Sequence, residues 1–159
     1  MNKPYEIYSD MDGVLADFGR MVYSMTGRLF HEEDVPKYVA TKNFWLRIPP
    51  TRDFDIYWNY IKKYKPHILT AYPRWDVEGA KKGKAAWNRK YTKVPSEKFH
   101  VVARKNKQNY AYDAINNKPN VLIDDHLQNI TEWKAAGGIG IFHTNALSTI
   151  LQLKNLGFK

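Results

Sequence analysis

Four short stretches carry the side chains best suited to chemistry: Ser9-Asp10-Met11-Asp12-Gly13, Leu69-Thr70-Ala71-Tyr72, Arg104-Lys105-Asn106-Lys107 and Ile123-Asp124-Asp125-His126. In order they supply two carboxylates, a hydroxyl, ammonium groups and two more carboxylates. Four carboxylates gathered at one place cannot all stay ionised without a counter-charge. A hard divalent cation with oxygen ligands supplies it, and Mg²⁺ is the usual one, since it takes one or two carboxylates together with a substrate phosphate. The hydroxyl and the ammonium groups then become donors to phosphate oxygens. Such a set suits phosphoryl transfer, where positioning and charge neutralisation carry most of the catalysis. An aspartate can also attack as the nucleophile and form an aspartyl-phosphate.

For these stretches to meet, the chain must bring their flanks together, and the flanks are informative. Each chemical stretch follows a short apolar run rich in β-formers: Tyr5–Ser9, His67–Leu69, Phe99–Ala103 and Val121–Ile123, with a fifth run at Ile139–Phe142. Short, nearly continuous apolar runs read as strands buried on both faces. Between them lie helical stripes: Val14, Phe18, Met21, Val22 and Met25, stopped at Gly27; Phe54, Tyr57, Trp58 and Ile61 after Pro49-Pro50; Val77, Ala80, Trp87 and Tyr91; Leu127, Ile130 and Trp133, stopped at Gly137-Gly138; and Leu147, Ile150 and Leu151 behind the N-cap candidate Asn145, closed by Gly157. Alternating strands and helices predict an α/β fold, a Rossmann-like, mostly parallel sheet covered by helices on both faces. Nearly sixty residues separate the first two strands, far more than a crossover needs. The excess, residues 26–66, reads as a small helical cap inserted after the first strand of a single domain spanning 1–159. In such sheets ligands bind outside the carboxyl ends of the strands, where all four chemical stretches would converge.

Composition narrows the classes further. The chain has 159 residues, enough for a hydrophobic core without staples, and no cysteine, which excludes disulfide scaffolds, thiolate metal sites and cysteine nucleophiles. No apolar run approaches a membrane span, and the first ten residues lack a signal-peptide core, so a cytoplasmic protein is expected. The net charge of +9 favours anionic partners: nucleotides, nucleic acid or anionic lipid.

Taken alone, an Asp-x-Asp-Gly stretch is equally at home in a polar turn. A calcium loop is excluded, because residue 14 is valine and no glutamate stands at the twelfth loop position. The ordered conjunction is more specific. Asp10-Met11-Asp12-Gly13-Val14-Leu15-Ala16-Asp17-Phe18 resembles the first motif of the haloacid dehalogenase-like phosphatase superfamily, Thr70 its second, a lysine at 105–107 its third and Asp124-Asp125 its fourth. Within it, the chain is most similar to the 5′(3′)-deoxyribonucleotidases, through Phe18, Phe44-Trp45 with Pro49-Pro50, and Ala86-Trp87-Asn88-Arg89-Lys90-Tyr91.

The resemblance implies roles. Asp10 would be nucleophile and metal ligand. Asp12 would be the general acid/base, with its backbone carbonyl on Mg²⁺. Thr70 would hold phosphoryl oxygens, the lysine would neutralise developing charge, Asp125 would complete the metal contacts and Asp124 would orient them. Phe18, Phe44, Trp45 and Arg47 are the candidates to meet the substrate; read from the residues alone, Phe44 and Trp45 equally suit packing the cap onto the core, and Arg47 a solvent-facing position. Two departures stand out: Ala71 lacks a hydroxyl at the second motif's second position, and Asn116–Asn120 lengthens the path from lysine to Asp124. Lys105 and Lys107 therefore compete. Lys107 is preferred because it opens a stretch with helical spacing (Tyr110, Ala111, Ala114, Ile115) and can point back at the site.

The segment Lys81–Lys107 holds ten Lys/Arg against one acid, Glu97. Ala80, Trp87 and Tyr91 share one side of a helical wheel, while Lys81, Lys82, Arg89 and Lys90 fall on the other, so this reads as a solvated helix face over an aromatic core contact. The expected activity is Mg²⁺-dependent hydrolysis of nucleoside or deoxynucleoside monophosphates. The alternatives are a phosphatase acting on nucleic-acid 5′ or 3′ ends and a non-catalytic nucleotide- or nucleic-acid-binding module on the same fold.

Overall fold

The structure, a computed structural model, describes residues 2–27 and 43–159. Five parallel strands form the main sheet: β1 (Ile7–Ser9), β2 (His67–Ala71), β3 (Phe99–Val102), β6 (Val121–Asp124) and β7 (Ile139–Phe142), in the order β3-β2-β1-β6-β7. The two remaining strands, β4 (Tyr112–Asp113) and β5 (Lys118–Pro119), pair only with each other. The helices are α1 (Phe18–Thr26), α2 (Phe44–Arg47), α3 (Phe54–Ile61), α4 (Val77–Tyr91), α5 (Leu127–Ala135) and α6 (Ala146–Asn155). The expected α/β class and all five expected strands are present.

Strand alternation sorts the core into two layers. Ile7, Ile68, Val121, Ile123 and Ile141 face one side, where α3, α4 and α6 supply Tyr57, Ile61, Trp87 and Leu153. Tyr8, Leu69 and Leu122 face the other, against Ile130 and Trp133 of α5. The edge strand β3 is only half-buried, unlike the fully buried β6. The strand order reverses between β1 and β6. A crevice opens there at the carboxyl ends, and Asp10 follows one strand while Asp124 ends the other.

Two local expectations are corrected. Val14 is not helical. Residues 10–17 form a tight turn, with Leu15 and Ala16 amides donating to Met11 O at 2.8 and 2.9 Å, and Val14 and Leu15 plug the core below it. Helix α1 starts only at Phe18, N-capped by Asp17, and ends as expected at Gly27. Nor does a helix run on from Lys107 to Ile115. A 3₁₀ helix covers Arg104–Tyr110, and the β4–β5 hairpin follows. Asp113 diverts the chain by accepting from the Ile115 and Asn116 amides, which leaves Ile115 fully outside the core.

Of the 26–66 stretch expected as a cap, residues 28–42 lie outside the described residues. The rest carries α2, which packs against α4, and α3, which packs against α6. Gly83 lets α2 approach α4 closely, since a Cβ there would fall 2.3 Å from the Trp45 Cβ. Among the described residues, no helix is long and apolar enough to cross a membrane.

Candidate active site

Asp10 sits one residue past β1 and is buried. Its backbone is fixed from both sides: the amide donates to Ile123 O at 2.8 Å, and its carbonyl accepts from Ser9 Oγ at 2.9 Å. Ser9 Oγ in turn lies 2.8 Å from the Tyr57 hydroxyl of α3. Gly13 turns the chain at φ +82, and a Cβ there would fall 1.9 Å from Asp125 Oδ2. The glycine is thus required twice, by its left-handed backbone and by the carboxylate packed against it.

Lys107, 3 % exposed, donates from Nζ to Asp10 Oδ1 and to Asp124 Oδ2, both at 2.8 Å. It is the lysine the chain points inward; Lys105 is exposed. Asp124 is fully buried and further held by the Asn129 side chain at 3.0 Å and the His126 amide at 2.8 Å. Asp125, exposed at the rim, brings its carboxylate to the same place. Oxygens of Asp10, Asp124 and Asp125 lie within 4.8 Å of one another. Burial and then the Asp124 charge push the Asp10 carboxyl well above the usual range, against the pull of Lys107. Burial and Asp124 likewise raise Asp125 to about 6. Burial alone would lower Lys107, but Asp10 and Asp124 outweigh it and hold it above its ordinary value. One ammonium is therefore shared among three carboxylates, and the cluster is short of positive charge. An oxygen set of this kind and charge suits a hard divalent cation.

Asp12 is not part of that cluster. Its Oδ2 accepts from Lys84 Nζ at 2.7 Å, and its Oδ1 is buried without a hydrogen-bond partner. Lys84, 1 % exposed, also donates to Thr70 Oγ1 and to Ala71 O, each at 2.8 Å. Because Thr70 accepts from Lys84, its own hydroxyl hydrogen remains to be donated. The two aspartates of the first motif thus each have a buried lysine: Lys107 for Asp10 and Lys84 for Asp12.

Sequence reasoning missed Lys84. The signal is its position, since Ala80, Lys84, Trp87 and Tyr91 follow the spacing of one buried helical stripe. A lysine inside an apolar stripe needs a buried partner.

The aromatic candidates gather beside Lys84. Trp45 and Phe44 are buried. The Trp45 ring stacks with both Phe18 and Trp75, each with its centroid 5.8 Å away. Its Nε1 donates to Asp76 Oδ2 at 2.8 Å, while Asp76 Oδ1 caps α4 at Gly79. Lys84 Nζ lies 5.1 Å from the Trp45 ring centroid. Trp75, the outer member, is 36 % exposed. Arg47 is exposed at the end of α2. The structure therefore brings together Asp10, Asp12, Thr70, Lys107, Asp124 and Asp125, with Phe18, Phe44 and Trp45 as a wall behind Lys84.

No protein-family model matches the chain, and no curated protein matches its sequence. Solved structures do. A hydrolase from Streptococcus pneumoniae TIGR4 shares the fold with a TM-score of 0.53 at 11 % identity, over 96 % of this chain and 100 % of that one. A hydrolase from Pseudomonas syringae aligns with a TM-score of 0.49 at 13 % identity, over 96 % and 90 %. A HAD-family hydrolase from Deinococcus radiodurans R1 aligns with a TM-score of 0.43 at 11 % identity, over 98 % and 90 %.

Proposed function

We propose that this chain is a phosphomonoesterase of the haloacid dehalogenase-like type, acting in the cytoplasm on nucleoside or deoxynucleoside monophosphates. The observation that carries the reading is the separate pairing of Lys107 with Asp10 and of Lys84 with Asp12. It gives two chemically identical side chains, two residues apart, different jobs. The fold shared with a hydrolase supports the same reading.

Asp10 attacks phosphorus through a carboxylate oxygen, and the ester P–O bond breaks. Asp12 Oδ1 gives its proton to the departing alkoxide. The product is an aspartyl-phosphate on Asp10. Asp12 then takes a proton from water, the hydroxide attacks the same phosphorus, and Asp10 is released with inorganic phosphate. Thr70 donates its hydroxyl to a phosphoryl oxygen, and Lys107 holds Asp10 in line while neutralising the added charge. Asp10, Asp124 and Asp125, together with the Asp12 backbone carbonyl, would hold Mg²⁺, which would supply charge neutralisation for the transferring phosphoryl group. The nucleoside rests against the aromatic wall. Phe18, Phe44 and Trp45 back that wall, Trp75 offers the exposed ring and Arg47 stands at its rim.

The test is phosphate release from a panel of nucleoside 5′- and 3′-monophosphates, sugar phosphates and p-nitrophenyl phosphate, with Mg²⁺ and with EDTA. Mg²⁺-dependent release, highest on nucleotides and absent in folded Asp10→Asn, is expected. Substantial turnover by Asp10→Asn overturns the covalent route, and a preference for sugar phosphates overturns the nucleotide assignment.

A further inference from the structure

Beside the catalytic residues lies a cleft of about 980 Å³, bounded by the segments that follow β2 and β3. Tyr72 stands two residues past Thr70, and Lys105 two residues before Lys107, so the cleft leads from the phosphate-binding groups toward the β3 edge of the sheet. Arg74, Arg104 and Lys105 line it together with Tyr72 and Trp75, and among the described residues no carboxylate does. Arg104 is held in place by Glu132 at 2.9 Å and Asn129 at 3.1 Å. Arg74 and Lys105 are exposed. A further cation, Lys81 of α4, lies over the Tyr72 ring, 5.2 Å from its centroid.

These cations exceed what one phosphate uses. The reacting phosphate would already have Thr70, Lys107 and whatever cation the acidic cluster would hold. Arg74, Lys81 and Lys105 stand farther out, beside the exposed Trp75 ring and the half-buried Tyr72 ring. Positive charge tracking a groove, with aromatic faces for sequence-tolerant stacking, is the composition of a single-strand nucleic-acid path. The net charge of +9 fits the same ligand.

We infer that the cleft binds the nucleotides adjoining a terminal one, so that the chain removes the phosphate from the end of a single strand. The terminal base stacks at Trp75, the next lies over Tyr72, and the following phosphates meet Arg74, Lys81 and Lys105. This rests on the phosphatase reading of the site, but the cleft can be tested apart from it.

The first measurement is kcat/KM for terminal phosphate release from 5′- and 3′-phosphorylated oligothymidylates of one to four residues, and from the same ends in a blunt hairpin. The ratio of tetramer to monomer should be at least about fivefold, the low end for one base stacked on an aromatic ring. It should fall to near one in Arg74→Ala/Lys81→Ala, with the monomer rate of each protein as its own reference. A ratio near one in the unaltered protein, or a ratio indifferent to that double substitution, overturns the proposal. So does a preference for the hairpin. The second measurement is fluorescence anisotropy of a labelled oligothymidylate and an oligouridylate with the metal-free protein. Two or three phosphates contacted should give a log–log salt slope of about −1.4 to −2.1, flattened in the double variant. If no substrate releases phosphate but this slope is found, the phosphatase reading falls and the strand path stands. If phosphate is released but no strand binds, the reverse holds.

Discussion

Lys84 Nζ lies 2.7 Å from Asp12 Oδ2 and 2.8 Å from Thr70 Oγ1, so one buried ammonium on α4 joins the acid/base candidate to the candidate phosphate-binding hydroxyl. The lysine reaches across from α4, the helix that also packs against α2. In the proposed mechanism it positions Asp12 through Oδ2, and Oδ1 keeps no hydrogen-bond partner of its own.

Replacing it tests that role. Lys84→Met should cost about 1–3 kcal/mol of stability, because Asp12 and Thr70 lose a buried donor. Activity should fall by up to about 10²-fold, the cost of a misplaced reacting group. A purely structural lysine would lower all substrates alike. A positioning lysine should hurt alkyl phosphates more than p-nitrophenyl phosphate, whose leaving group needs less protonation. Steady-state kinetics on both ester types, with thermal unfolding alongside, separates the two.

The second buried lysine should behave differently. Lys107→Met leaves Asp10 and Asp124 facing each other without their shared ammonium. Breaking such a buried pair costs about 3–5 kcal/mol. Loss of its charge at the transition state should lower kcat by about 10²–10³ for aryl and alkyl phosphates equally. Lys105→Met, on the exposed neighbour, should leave both stability and p-nitrophenyl phosphate hydrolysis near wild type. Reversed outcomes for the two lysines would reassign the third motif.

The contrast between these lysines shows what a sequence can carry. Strand ends can be read because each apolar run stops at its chemical residues: Ser9 before Asp10, Ile123 before Asp124. Lys105 and Lys107 both stand between a strand and the fourth motif, and only the helical spacing after Lys107 favours it in the sequence. Its setting was misread, since Tyr110, Ala111, Ala114 and Ile115 keep helical spacing although Asp113 captures the amides of Ile115 and Asn116 and turns the chain into a hairpin. Lys84 was hidden for another reason. In a helix crowded with surface lysines, only its spacing from Ala80 and Trp87 marks it as inward, and its partners Asp12 and Thr70 are 72 and 14 residues away. Long-range pairing of that kind has no local signature.

Metal dependence should appear in stability as well as in rate. Asp125 titrates near 6 in the fold, against 3.8 unperturbed, because of burial and the neighbouring Asp124. A carboxyl raised in this way favours the folded state below its unfolded pKa, and that contribution is lost as pH rises through 6. At pH 7.5 without metal, Asp125→Asn should therefore melt higher than wild type. Solvent screening at this exposed rim keeps the gain within about 1 kcal/mol, or about 2–4 °C. The difference should vanish by pH 4. Mg²⁺ should raise the melting temperature of wild type and not that of Asp125→Asn. Scanning calorimetry at both pH values, with and without Mg²⁺, checks each sign; a lower metal-free melting point for the variant at pH 7.5 would refute the repulsion argument.

The aromatic wall divides structure from recognition between two tryptophans. Trp45 is 5 % exposed, stacked with Phe18 and Trp75 and hydrogen-bonded through Nε1 to the residue that caps α4. Its truncation removes a strut. Trp45→Ala should lose about 3–5 kcal/mol, which in a domain of this size lowers the melting temperature by roughly 6–20 °C. What activity survives should fall alike on nucleotides and on p-nitrophenyl phosphate. Trp75 stacks with Trp45 and lines the cleft. Trp75→Ala should change stability little but remove base stacking worth about 1–3 kcal/mol, which is roughly 5- to 150-fold in kcat/KM on a nucleotide, with p-nitrophenyl phosphate spared. The decisive quantity is the nucleotide-to-aryl ratio of kcat/KM in each variant. A ratio that drops in Trp45→Ala and holds in Trp75→Ala would move the base to the inner ring and return Trp45 from strut to contact.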